Sequence, residues 1–196
     1  MLRVIAAATA EAACTTVVDD YIALAWRCAD TLPPLYWRTG DLTRSLLEVG
    51  LVPQSGRLCK VTVVSATGCL QPDDGVTAAY LAAATAREGL PCCDIRPWLD
   101  QHAWPDMSSW EKQSDSWMVD HLRWEEHVID EPGPFTITSG ATGVSLWLGD
   151  PSPLAACYVT PTVRCGVNAT GHLHLLHFDG LRDDERARLV TTISGT

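Results

Sequence analysis

Apolar residues recur at helical spacing in the first two thirds of this chain and at a spacing of two in the last third. Val17, Val18, Tyr21, Ile22, Leu24, Ala25 and Cys28 form a broad stripe, and Thr16 with Asp19 fits a capping box. A helix is therefore predicted over Thr16 to Ala29, ended by Pro33 and Pro34. A short helix is predicted over Asp41 to Val49, with Gly50 as its stop. Cys59 to Ser65 is β-branched and short, so it reads as a strand. Asp74 starts a predicted helix through Glu88, and Pro91 to Arg96 reads as a second strand, together a βαβ-like unit. Ser108 with Glu111 is a second capping box, opening a predicted helix to Ile129 that Pro132, Gly133 and Pro134 stop.

Beyond those prolines the alternation shortens. Phe135 to Ser139, Val144 to Gly149, Ala155 to Val167 (broken at Pro161) and His172 to Phe178 read as four strands. Their tight spacing predicts an antiparallel meander. Leu181 to Ile193 is a predicted helix, with acids early and arginines later, as the helix dipole prefers. Helices followed by consecutive strands imply an α+β fold: N-terminal helices and a short βα section packed with a C-terminal antiparallel sheet of about four strands and a final helix. At 196 residues the expectation is a single domain.

Charge narrows the classes of partner. Fourteen Lys and Arg stand against 24 Asp and Glu, a net charge of −10, and a nucleic-acid backbone binder needs the opposite sign. No apolar run approaches the ~18 residues of a membrane span. No glycine-rich phosphate cradle joins the first strand to its helix, so no nucleotide is expected. Eight cysteines occur without any C-x-x-C spacing, several of them at apolar positions inside elements, which reads as reduced, structural thiols. Glu11 interrupts the apolar start as well, and the expected location is cytoplasmic.

The charge is concentrated. Between residues 94 and 132 lie ten acids against Arg96, Lys112 and Arg123, a net −7 in one fifth of the length. The same stretch holds five of the eight tryptophans: Trp98, Trp104, Trp110, Trp117 and Trp124. On a helix the last three fall within about 40° of one another. The plain reading is a core stripe with a solvated outer face. The sharper reading is a hot spot of indoles inside an acidic field that steers a basic partner, with Asp115, Glu125 and Glu126 as its charged rim.

His172 and His174 are the catalytic candidates, two residues apart on a predicted strand face. His177 has the opposite parity, and Asp179 shares its face. No acid at metal-ligand spacing accompanies the pair, so neither a metal nor another cofactor is expected. The residues thus imply a small acidic protein-interaction module. It would neutralise or escort a basic protein, the physical type of immunity proteins and dedicated chaperones. The alternative is a small enzyme or ligand binder with a pocket near the C-terminal sheet, the His172 and His174 face at its mouth.

Overall fold

Ser45 to Leu51 buries Ser45, Leu47, Val49 and Leu51 and leaves Leu46 and Glu48 half-exposed, which is the period of a strand. That pattern recurs through most of the computed structural model, which describes residues 1–9, 13–17, 22–26, 34–99, 111–113, 116–118, 128–140, 143–179 and 181–194. The first half contains β1 (Val4–Ala8), β2 (Ala13–Val17), β3 (Ile22–Trp26), β4 (Leu35–Gly40), β5 (Ser45–Leu51) and β6 (Leu58–Ala66). It continues with β7 (Leu70–Pro72), α1 (Val76–Ala83), β8 (Thr85–Glu88), β9 (Leu90–Cys93) and α2 (Arg96–Leu99). The second half holds β10 (Glu111–Gln113), β11 (Ser116–Met118), β12 (Val128–Asp130), β13 (Thr136–Gly140) and β14 (Gly143–Trp147). It closes with β15 (Ala156–Val159), β16 (Val163–Val167), β17 (Leu173–Asp179) and α3 (Asp183–Ser194).

The fold is therefore mostly β, and the helix-rich α+β expectation is wrong. Of the predicted helix over Thr16 to Ala29, the described residues belong to the paired strands β2 and β3, and the one over Asp41 to Val49 is replaced by β5. Gly50, read as a helix stop, lies inside β5, with an added Cβ only 3.1 Å from the Cβ of Lys60 on the next strand. The helix after Asp74 is real but ends at Ala83, where the chain turns into β8. Of the helix expected from Ser108 to Ile129, the described residues form β10, β11 and β12. β6 and the last helix form as the pattern indicates, but the four C-terminal stretches give five strands, Ala155 to Val167 dividing into β15 and β16, and the parallel edge strands β7 and β8 extend their sheet to seven.

A six-stranded sheet runs in the order β12-β4-β5-β6-β3-β2 and a seven-stranded sheet in the order β7-β13-β14-β17-β16-β15-β8. The βαβ-like unit does not exist, because β6 belongs to the first sheet and β9 pairs with β1. Nor is the C-terminal region a simple meander: β14 pairs with β17, and β15 and β16 return from the far side. The inner faces of the two sheets meet in one core. Leu35, Trp37, Leu47, Val49 and Val61 come from the first sheet and Ile137, Val144, Leu146, Val163 and Leu176 from the second. The β1–β9 ribbon ties both sheets together, since the Cys93 N–H donates to the Gly56 carbonyl (2.8 Å) and the Leu173 N–H to the Leu2 carbonyl (2.8 Å).

α1 covers part of the outer face of the seven-stranded sheet. Its alanine-rich sequence favours a helix, and Tyr80, Leu81 and Ala84 press on Trp147, Leu154 and Leu175 in a second, smaller apolar cluster. Asp74 does not cap it; instead the neighbouring Asp73 accepts the Gly75 N–H at 3.0 Å. Cys59, Cys69, Cys92, Cys93, Cys157 and Cys165 are free thiols. Among the described residues no helix is long and apolar enough to cross a membrane.

Candidate functional site

Beside the apolar cluster under α1, the same outer face carries a polar row. Thr138, Ser145, His177 and Arg164 are register neighbours across β13, β14, β17 and β16. Asp179 joins them because it lies two residues from His177 and shares its face. Ser145 Oγ and His177 Nδ1 are 2.8 Å apart, and His177 Nε2 lies 3.3 Å from Asp179 Oδ1. Arg164 Nε donates to the other Asp179 oxygen at 2.7 Å. Ser145 and His177 are each 1% exposed, whereas Arg164 and Asp179 reach solvent.

Burial pushes the His177 pKa down; the Arg164 charge adds to this, while the charge and hydrogen bond of Asp179, and the charge of Asp73, oppose it. The imidazole is therefore neutral at neutral pH. The tautomer that suits Asp179 carries its proton on Nε2, leaving the Nδ1 lone pair to accept the Ser145 hydroxyl. A neutral imidazole bonded to a serine hydroxyl and oriented by a carboxylate is a proton acceptor in position.

His174 is placed differently. Its Nε2 pairs with Ser152 Oγ at 2.8 Å and its ring meets Trp147 edge to face at 5.6 Å. Burial lowers its pKa too, with the carbonyls of Asp150 and Leu148 opposing. His172 precedes β17 in an isolated bridge with Arg3, and its Nδ1 faces Thr170 Oγ1 at 3.0 Å. A register shift at Val167 separates the two, so they build no common site. The groove between α3 and the end of β13, lined by Ser139, Gly140, Asp183, Arg186 and Val190, contains neither histidine. Among the described residues no three His, Cys, Asp or Glu side chains are placed to hold one metal ion.

These histidines make stability depend on pH in a definite sense. Both folded-state pKa values lie below that of the unfolded chain, so folding resists a proton that unfolding accepts. Their contribution is complete above the ordinary histidine value of about 6.5 and is lost as pH falls below it. Imidazole NMR titrations should give midpoints under about 6.5 for both, and melting temperature should drop between about pH 7.5 and about pH 5.5. Midpoints at or above the ordinary value would contradict the burial argument.

The acidic, tryptophan-rich stretch is described in part. Trp98 belongs to α2 and Trp117 to β11, where it pairs in register with Lys112. Trp117 therefore lies on a strand and not on the expected helix. Trp104, Trp110, Trp124, Asp115, Glu125 and Glu126 lie outside the described residues. At its two ends the acids are paired. Asp94 accepts from Arg96 (2.6 and 2.8 Å), which holds its carboxyl near a pKa of about 2. Asp130 binds Arg38 through both oxygens (2.6 and 2.9 Å). Glu131 meets the Met1 ammonium and accepts the Trp37 indole N–H at 2.7 Å.

Sequence reading nominated His172 and His174 and missed the array of Ser145, His177, Asp179 and Arg164. The shared face of His177 and Asp179 was visible in their spacing; the partnership with Ser145, 32 residues away, was not. The chain matches no protein-family model and no curated protein.

Proposed function

We propose that this protein is an interaction module that binds a basic protein partner through the region from Trp98 to Glu126. The observation behind this reading is where the sequence concentrates its negative charge. Asp94, Asp130 and Glu131 are neutralised by partners within the fold. Between them in the sequence, residues 97–129 carry seven acids against Lys112 and Arg123, a net −5 in 33 residues. Such a field accelerates encounter with a cationic surface, and the interleaved indoles supply the apolar area that hot spots use. A net charge of −10 argues against nucleic acid as the partner. A cytoplasmic address belongs to the same reading and is supported by the free thiols at Cys59, Cys69, Cys92, Cys93, Cys157 and Cys165.

The test is a triple reversal, Asp115→Lys, Glu125→Lys and Glu126→Lys, measured as association rate with a basic protein recovered by affinity capture. The rate should fall at least about tenfold at low salt, and its salt dependence should flatten. An unchanged rate and salt slope in a folded variant would remove the partner surface from this segment.

A further inference from the structure

We propose that Ser145 is a nucleophile for acyl transfer, uncovered when α1 lifts, and that its substrates are esters with an apolar acyl group. Its residues lie outside the acidic stretch of the sequence, and it stands independently of the interaction reading.

Three observations converge on it. The first is the array itself: a serine hydroxyl 2.8 Å from an imidazole nitrogen, the other nitrogen 3.3 Å from a carboxylate, and that carboxylate clamped by an arginine at 2.7 Å. Three elements of one sheet hold it, so its geometry does not depend on a loop. A sheet face beneath a helix is ordinarily apolar, and placing this many polar groups there opposes stability unless they have a use.

The second observation is the apolar floor beside the hydroxyl. Trp147 lies two residues along β14 on the same face, with Leu175 opposite it on β17 and Leu154 packed against both. An acyl chain laid on these side chains would bring its carbonyl carbon next to Ser145. The third is the cover. α1 crosses both neighbours of Ser145, with Thr77 Oγ1 at 3.4 Å from Thr138 Oγ1 and the Tyr80 ring 6.0 Å from that of Trp147. Yet α1 has eight residues, no side-chain cap, no acid in its first turn and Thr77 as its only fully buried residue. A helix this short is marginal by itself and belongs to the low-stability part of a fold.

With α1 displaced, Ser145 Oγ bonds to the ester carbonyl carbon while His177 Nδ1 takes the hydroxyl proton. The ester C–O bond breaks, and the departing oxygen leaves with that proton as an alcohol. Water then attacks the acyl-serine, giving its proton to the same nitrogen. The Ser145 Oγ–acyl bond breaks, a carboxylic acid is released and the hydroxyl is restored. Asp179 and Arg164 act as positioning residues through His177.

The full chain is treated with a fluorophosphonate probe, digested and mapped, and p-nitrophenyl butyrate hydrolysis is followed alongside. One adduct per chain is expected on the peptide containing Ser145, and none in Ser145→Ala. His177→Gln should slow labelling by at least about 100-fold, while Tyr80→Ala, which loosens the cover, should speed it. Asp179→Asn should move the midpoint of the pH–rate profile to lower pH, because Asp179 opposes the downward pull of burial and Arg164, with Asp73 the other acid facing the ring. A purely structural array would alter melting temperature and leave that profile absent. Mapping the adduct on the unsubstituted chain makes the result independent of whether His177→Gln folds. No adduct at Ser145 in both the unsubstituted chain and a folded Tyr80→Ala variant overturns the proposal, as does undiminished labelling in a folded His177→Gln.

Discussion

Trp147→Ala lowers the unfolding free energy by about 3–5 kcal/mol, the range for removing a large aromatic from a filled interior. The indole is fully buried, yet it lies outside the main core, on the face that α1 covers. Tyr80 meets it edge to face at 79° and His174 at 72°, and such aromatic pairs add roughly 0.5–1.5 kcal/mol to the burial of area. Losing the indole removes what holds α1 as well as a filled volume. Amide exchange in residues 76–83 should therefore become nearly unprotected while the sheets keep their protection. Trp147→Phe should be markedly milder, because the indole N–H is buried without a hydrogen-bond partner and phenylalanine deletes that orphan donor. Urea denaturation with exchange measurements checks both. A loss under about 1 kcal/mol for the alanine variant would mean that this cluster does not anchor the helix.

Gly56→Ala is the second large effect, and its cause is backbone rather than packing. Gly56 has φ of +67°, where an L-side chain costs roughly 1–2 kcal/mol. A Cβ there would stand 1.9 Å from the carbonyl oxygen of Cys93, and neither atom can rotate away. The Gly56 N–H donates to Val52 (2.7 Å) and its carbonyl accepts the Cys93 N–H, so relief requires breaking the link from the turn before β6 to the β1–β9 ribbon. Overpacking of this kind adds about 1–3 kcal/mol. Gly68→Ala is the internal control: its φ is +78° but nothing lies within 4 Å of the added Cβ, so only the conformational part should appear. The difference between the two melts measures the clash alone, and equal losses would contradict it.

Legibility of the fold followed the length and purity of each pattern. Val144 to Trp147 and Leu173 to Asp179 are bounded by Gly and Asp turns, so strands there needed no context. The pattern over Thr16 to Ala29 is ambiguous because Val17, Ile22, Leu24 and Ala25 fit a helical stripe as well as two short strands. Windows of five residues cannot separate a period of 3.6 from a period of 2. β3 exists because β6 pairs with it, Ile22 opposite Val63, and β5 because β4 and β6 flank it on both sides. Local propensity yields to such pairing wherever a strand has neighbours on both edges.

What the amino-acid sequence determined by itself is the set of properties carried by single residues or by neighbours along the chain: the acidic charge and its concentration between residues 94 and 132, the C-terminal run of strands, the last helix, and the common face of His177 and Asp179. Charge is a sum over residues, and alternation needs only one strand to be recognised. The tertiary structure decided everything that depends on which strands lie side by side. The pairing of β14 with β17 passes over β15 and β16 and brings Ser145 to His177, while the pairing of β16 with β17 brings Arg164 to Asp179. Register between distant strands is settled by burying one face of every strand at once, a condition on the whole sandwich that no local window contains.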